Sequence, residues 1–228
     1  MTAGAVVPLA VTIRRAEVIR FLGCPEAHPL PPALAALLDE ALAEARRLVA
    51  ARGAFVAIAP ERAPEVGLAP VPARGLALGL VTAGAAIEER ATAASRGGEP
   101  TRALVLDAAG SAAAEEAADR LGAVIAGGAA VADDPGTLPC RISPGYPGWA
   151  LTDQQRLFDL LPHVALGVTL LPSAMMVPQK SISFAMWLGR TARVPGAGGC
   201  SRCGLAHCRY RRTRKRSAGG ARHGGSSG

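Results

Sequence analysis

The sequence RISPGYPGW, from Arg141 to Trp149, places two prolines and two glycines within nine residues. Proline restricts φ and glycine admits positive φ, so the pattern predicts a rigid, tightly turned loop whose backbone approaches a ligand closely at Gly145 and Gly148. Arg141 offers a planar fork of donors that suits a carboxylate, and Tyr146 and Trp149 add ring faces. The alternative is a surface turn whose arginine caps a helix.

Large and polarizable side chains are concentrated around and after this loop. Between residues 146 and 187 lie five of the eight aromatic residues and three of the four Met residues. Side chains of this kind hold apolar or flat ligands, or they form the main core of a protein. On composition alone, a core layer is the favoured interpretation.

Periodicity predicts a mixed chain of helices and strands. Helical spacing predicts helices at 17–22, 33–52, 84–95, 101–121 and 152–161, the last with Thr152 as N-cap and Gln155 in capping-box spacing. Apolar runs and alternation predict strands at 6–13, 55–59, 76–81, 168–171 and 181–187. The uncharged apolar stretch from Gly75 to Ile87 has 13 residues. A bilayer requires about 20, so we expect no membrane span.

The motif RxxPGYP resembles the signature of the S-adenosylmethionine-binding activation domain of cobalamin-dependent methionine synthase. LFDLL at 157–161 resembles the helix after that loop, and LGVTLLPSAMMVPQKSIS at 166–183 resembles the family pattern GxxLTESxxMxPxxSVS. Segments 106–119 and 17–23 resemble small stand-alone relatives of the domain. The similarity extends over most of residues 15–187 and is strongest over 141–183. It implies an α+β fold with a twisted, mainly antiparallel sheet and flanking helices.

The resemblance also implies a binding site for S-adenosylmethionine. In the family, the loop arginine holds the methionyl carboxylate and loop backbone groups hold the adenosyl part. A carboxylate on the preceding helix meets the amino group of the ligand; the alignment places Ser111 near that position and Glu115 about one turn later. The loop residues that the resemblance implies as contacts are Arg141 for the carboxylate, with Ser143, Gly145 and Tyr146. A late Tyr of the family, which lies in a strand beyond the KSIS segment, has no counterpart, because the chain becomes rich in Gly and Arg after Trp187.

The chemistry that the resemblance implies is reductive methylation of cobalamin. A donor such as a flavodoxin gives one electron, S-adenosylmethionine gives a methyl group, and methylcobalamin is restored on methionine synthase or another corrinoid protein. The domain would be a methyltransferase-type enzyme only in this reactivating sense. Its task is placement, so we expect no catalytic acid–base residue. The sequence contains no DxHxxG corrinoid motif, so we expect the cobalamin on a partner.

The charge of the chain changes sharply along its length. All 18 acidic residues lie at or before Asp159, together with 14 basic residues, whereas the 11 basic residues after that point have no acidic counterpart. From about Gly189 the composition is rich in Gly, Arg and Ser. The pattern predicts an activation-domain-like unit at 1–189, followed by a disordered, basic low-complexity tail at 190–228.

The tail contains CSRCGLAHC, in which Cys200, Cys203 and Cys208 have C-x2-C-x4-C spacing beside His207. Three thiols this close suit zinc or an iron–sulfur cluster, and unliganded or redox-active thiols are the alternative. Five Cys residues in such a pattern favour metal binding in a reducing cytoplasm over a disulfide scaffold. The fourth ligand would come from another chain or from one of His207, Cys24 and Cys140.

The basic segment RYRRTRKR, from Arg209 to Arg216, follows the cysteines directly. In decreasing order of preference, it fits a solvated tail, a docking segment for an acidic protein such as a flavodoxin, or a nucleic-acid contact. The alternative to cobalamin reactivation is therefore a non-catalytic, metal-bearing interaction module that uses this tail to bind nucleic acid or an acidic protein.

Overall fold

The computed structural model describes residues 4–24, 30–128 and 141–189. The predicted tail at 190–228 lies outside the described residues, so the domain boundary after residue 189 stays a prediction. The described elements are β1 (Val7–Pro8), α1 (Arg15–Phe21), α2 (Pro32–Leu48), β2 (Arg52–Ile58), β3 (Gly75–Thr82), α3 (Ala86–Arg96), α4 (Pro100–Gly128), β4 (Arg141–Ile142), α5 (Gln154–Leu160), α6 (His163–Leu166), β5 (Thr169–Leu170), β6 (Met176–Val177) and β7 (Ser181–Leu188), with 3-10 helices at Pro60–Val66 and Leu151–Asp153.

Five strands form one antiparallel sheet in the order β1-β2-β3-β7-β4, and β5 and β6 form a separate small hairpin. Strands β3 and β7 pair along their whole length, from Gly75 opposite Leu188 to Thr82 opposite Ser181. The last strand of the described residues, β7, is thus inserted between β3 and β4. The predicted α+β fold with an antiparallel sheet and flanking helices is confirmed.

Both faces of the sheet are buried because its central strands are apolar on both sides. The three leucines of β3 pack on one face with Trp149 and Trp187, beneath α5, α6 and the 3-10 helix at Pro60–Val66. Side chains of β3 and β7 on the other face pack against Ala117, Ala118 and Leu121 of α4. The aromatic-rich region therefore does contribute the core, as its composition predicts.

Helix α4 connects the two halves of the fold. It has 29 residues, and its N-terminal half packs with α1, α2 and α3 in an Ala- and Leu-rich cluster. Its C-terminal half crosses the sheet above β2, β3 and β7. No helix in the described part of the chain is long and apolar enough to cross a membrane.

Ion pairs fix the start of α4 to two neighbouring helices. Arg102 of α4 lies 2.9 Å from Glu40 and 3.2 Å from Glu44, both on α2, and Arg90 of α3 also contacts Glu44. Burial raises the pKa of the Glu44 carboxyl, but hydrogen bonds and charge from Arg90 and Arg102 outweigh burial and hold that pKa below its usual value. The ionised carboxylate thereby joins α2, α3 and α4.

The centre of β3 has to be glycine because of an aromatic ring on β7. Gly79 lies directly opposite Phe184 in the antiparallel register, and Phe184 is fully buried. A Cβ at Gly79 would lie 2.4 Å from the ring atom Cζ of Phe184. The ring thus occupies the space above the glycine, on the face of the sheet that α4 covers.

Three predictions about individual helices and strands are wrong in their bounds or in their capping. The strand predicted over 6–13 pairs only at Val7 and Pro8; proline has no N–H to donate to a sheet, which fits an edge strand. The predicted capping box does not form, because a 3-10 turn precedes α5 and Asp153 takes the N-cap position instead of Thr152. Helix α4 continues past the predicted end at 121 to Gly128.

We expect Gly79→Ala to lower the free energy of unfolding by about 1–3 kcal/mol, because the added methyl group overlaps a buried ring. Gly75→Ala on the same strand is the matched control, since its Cβ would meet nothing closer than 3.7 Å. Urea unfolding of both variants measures the difference. Equal stability of the two variants would contradict the close contact between Gly79 and Phe184.

Candidate functional site

The 141–149 loop begins as a strand at the edge of the sheet. Arg141 and Ile142 of β4 pair with Met186 and Ala185 of β7. Residues opposite each other in a sheet share a face, and Met186 belongs to the cluster that packs against α4. The pairing therefore directs Arg141 towards α4.

Backbone hydrogen bonds close the turn that follows β4. The N–H of Gly145 donates to the carbonyl of Trp149 (2.9 Å), and the N–H of Trp149 donates to the carbonyl of Tyr146 (3.0 Å). Gly145 and Gly148 both have a φ of 89°, which a residue with a side chain rarely adopts. The tight turn predicted from the sequence is confirmed.

Trp149 anchors this turn in the core. Its ring is buried in the cluster below the sheet, and its indole N–H donates to the carbonyl of Val66 (2.8 Å). The expectation that Trp149 offers a ring face to a ligand is therefore wrong. Tyr146 is 48% exposed, so part of its side chain lies at the surface of the loop.

The side chain of Arg141 extends from β4, past the ring of Phe184, to the carboxylates of α4. Its guanidinium carbon lies 5.4 Å from the centroid of the Phe184 ring. Its Nη2 atom lies 2.5 Å from Oδ1 of Asp119 and 3.3 Å from Oε2 of Glu115. The Arg141 side chain is 18% exposed, and the two carboxylates are 36% and 33% exposed. This cluster therefore lies at the surface and is accessible to a ligand.

The two carboxylates belong to a polar stripe along α4. Asp107, Ser111, Glu115 and Asp119 follow one another at intervals of four residues, so they share one face of the helix. Lys180, which precedes β7, contacts the first two through its Nζ atom, at 2.6 Å from Asp107 Oδ1 and 3.1 Å from Ser111 Oγ. The stripe thus has a cation at each end, with the two cations roughly 12 Å apart along the helix.

The stems of both cations lie over glycines of α4. A Cβ at Gly122 would lie 3.8 Å from Cδ of Arg141, and a Cβ at Gly110 would lie 3.0 Å from Cγ of Lys180. The missing side chain of Gly110 lets the Lys180 stem approach the helix closely, whereas a Cβ at Gly122 would make an ordinary van der Waals contact with Arg141.

Some of the site residues that were predicted from the sequence lie close together in the structure. Arg141 and Glu115 are in contact, and Ser143, Gly145 and Tyr146 follow in the adjoining turn. Ser111 shares the face of Glu115, but its hydroxyl donates to the Asp107 carbonyl and faces the Lys180 ammonium.

Two charged residues of the site escaped the sequence analysis. Asp119 is signalled by its spacing of four from Glu115. Lys180 carries no such signal, because it lies 69 positions from its partner Ser111.

No metal site is formed by the His, Cys, Asp and Glu side chains of residues 4–24, 30–128 and 141–189. The predicted metal ligands Cys200, Cys203, His207 and Cys208 lie outside those ranges, as does Cys140. Cys24 is described and is a free thiol. The metal prediction therefore stays a prediction.

The fold matches known structures although the sequence is only weakly similar to theirs. No protein-family model matches the chain, and no curated protein matches it by sequence. Among solved structures, the MetH reactivation domain bound to AdoHcy is similar with a TM-score of 0.60 and 16% identity, over 84% of this chain and 81% of that one. The chain has the fold of that domain, so the resemblance in the loop motif extends to the tertiary structure.

We expect Trp149→Phe to lower the free energy of unfolding by about 1–2 kcal/mol more than Trp187→Phe does, because only the first variant loses a buried hydrogen bond. Both variants remove the same atoms from one cluster. Among the described residues, no hydrogen-bond partner of the Trp187 indole is found. Urea unfolding compares the two. Equal losses would mean that the bond to Val66 does not hold the turn.

Proposed function

We propose that this protein binds S-adenosylmethionine between helix α4 and the 141–149 loop. We propose further that it supports reductive methylation of cobalamin on methionine synthase or a related corrinoid protein. The observation that carries the proposal is the pairing of Arg141 with Glu115 beside the RxxPGYP turn, in a chain with the fold of the MetH reactivation domain.

A fixed cation beside a fixed anion suits the two charges of an α-amino acid group. The Arg141 guanidinium presents parallel N–H donors to a carboxylate. The Glu115 carboxylate, 3.3 Å from it, accepts hydrogen bonds from an ammonium group. Ser111 is the other candidate for the ammonium contact, but its hydroxyl already faces the Lys180 ammonium. We therefore assign the ammonium contact to Glu115.

The turn after Arg141 supplies contacts for the adenosyl part. Gly145 is exposed, and with a φ of 89° it leaves backbone atoms open to close approach. The Ser143 hydroxyl and the exposed Tyr146 ring lie on the same short segment. Trp149 holds this segment to the core, so the contacts are positioned before a ligand arrives.

The role of this chain in the proposed reaction is to hold S-adenosylmethionine in position. In this reaction S-adenosylmethionine would give its methyl group to cobalt on the partner and leave as S-adenosylhomocysteine. The electron pair for the new bond would come from the cobalt, after one-electron reduction by a donor such as a flavodoxin. Arg141 and Glu115 hold the amino acid end of the ligand, while the turn holds the nucleoside end. The methyl group between them is thereby oriented towards the partner. This role requires no acid–base residue from the chain.

We expect Arg141→Ala to weaken binding of S-adenosylmethionine by about 2–3 kcal/mol, through loss of a charge-assisted pair of hydrogen bonds. Arg120→Ala is the matched control, because Arg120 belongs to the same charged surface but pairs with Glu116 at 2.9 Å. Isothermal calorimetry measures both. Equal binding by the two variants would remove Arg141 from the site, and a wild type without affinity would refute the proposed function.

We also propose a metal site at Cys200, Cys203 and Cys208, with His207 beside them. The support for it is the C-x2-C-x4-C spacing in the sequence, which suits zinc or an iron–sulfur cluster. The basic segment that follows suits an acidic partner such as the electron donor.

We expect protein purified without oxygen to contain zinc or iron with sulfide, and the double variant Cys200→Ser/Cys203→Ser to lose it, because two of three thiolate ligands are removed. Elemental analysis and an absorption spectrum identify the metal. Cys24→Ser tests whether that thiol is the fourth ligand. Metal-free wild type with freely titrating thiols would show that the cluster is unliganded.

A further inference from the structure

We infer that Asp119 occupies the carboxylate-binding position on Arg141 when no ligand is bound, and that a ligand carboxylate has to displace it. Asp119 then sets the affinity of the site for ligands that carry an α-carboxylate. This inference rests on the proposed function of the site and adds a residue that the loop motif does not contain.

The geometry of the two carboxylates on Arg141 is unequal. Oδ1 of Asp119 lies 2.5 Å from Nη2 of Arg141, whereas Oε2 of Glu115 lies 3.3 Å from the same nitrogen. Asp119 is therefore the closer of the two partners of this nitrogen. Asp119 therefore holds the position on the guanidinium that a ligand carboxylate would take.

The neighbours of Arg141 restrict its guanidinium, so that it would contact Asp119 or a ligand from the same position. Phe184 lies beside the guanidinium at 5.4 Å from the ring centroid. The stem begins on a paired strand. Because these contacts restrict the guanidinium, a ligand carboxylate competes for N–H groups that Asp119 already uses.

The ligand has one ammonium group, which would neutralise the charge of Glu115 but not that of Asp119 as well. An α-amino acid group brings one carboxylate and one ammonium. The ammonium pairs with Glu115, which leaves the ligand carboxylate close to a second protein carboxylate one helical turn away. Removing the charge of Asp119 relieves this repulsion and frees Arg141, so it tightens binding. A residue that only oriented Arg141 would have the opposite effect, since its removal would weaken binding.

The test compares two nucleosides on the full-length protein by calorimetry. S-Adenosylhomocysteine carries the amino acid group without a sulfonium charge, and 5′-methylthioadenosine lacks the amino acid group. We expect Asp119→Asn to bind S-adenosylhomocysteine on the order of 3–10 times more tightly than wild type. Its affinity for 5′-methylthioadenosine should equal that of wild type.

Glu116→Gln is the matched control. Glu116 lies on the same helix and pairs with Arg120 at 2.9 Å, so the variant removes the same charge away from Arg141. We expect no gain in this variant, and weaker binding of S-adenosylhomocysteine by Glu115→Gln. Thermal unfolding of each variant verifies that it is folded.

The outcomes separate this inference from the proposed function. Equal or weaker binding of S-adenosylhomocysteine by Asp119→Asn, with binding by wild type, overturns the role of Asp119 and leaves the proposed function standing. An equal gain in Glu116→Gln also overturns it, because the effect would then come from net charge. If neither wild type nor Asp119→Asn binds either nucleoside, the proposed function fails and this inference fails with it.

Discussion

The candidate site depends on how closely helix α4 packs on the sheet. Gly79 leaves room for the ring of Phe184, and Gly53 faces Leu121 of α4, where a Cβ would lie 3.1 Å from Cδ2 of that leucine. Protein interiors are close-packed, so larger side chains at these positions would lift the helix or displace the ring. The close packing brings the polar stripe of α4 within reach of Arg141 on the edge strand.

Partly exposed ion pairs suit a site that has to exchange partners. Pairs of this kind contribute little to stability, because water screens them and ordering the side chains has an entropic cost. Breaking the contact between Arg141 and Asp119 therefore costs the fold little, which is compatible with the proposed replacement of Asp119 by a ligand carboxylate. The surrounding apolar groups are buried: the Phe184 ring on the face of the sheet that α4 covers, and the indole of Trp149 on the opposite face.

Sequence reasoning succeeded where short-range rules apply. The turn at 141–149, the strand β7 and the helical character of α4 follow from residues that are close together along the chain. It was wrong about Trp149, because the number of prolines and glycines in a loop does not tell which ring turns inward. It was also wrong about Thr152, since a 3-10 turn places Asp153 at the start of α5.

The sequence by itself determined the local conformations, the loop motif with its family resemblance, and the α+β class. Only the tertiary structure decided which charged groups meet. Arg141 and Asp119 are 22 positions apart, and Lys180 and Ser111 are 69 positions apart. Local preferences act over a few residues, whereas a contact across such separations depends on how close a helix lies to a sheet. That distance is set by the packing of glycine, alanine and one phenylalanine ring in the core.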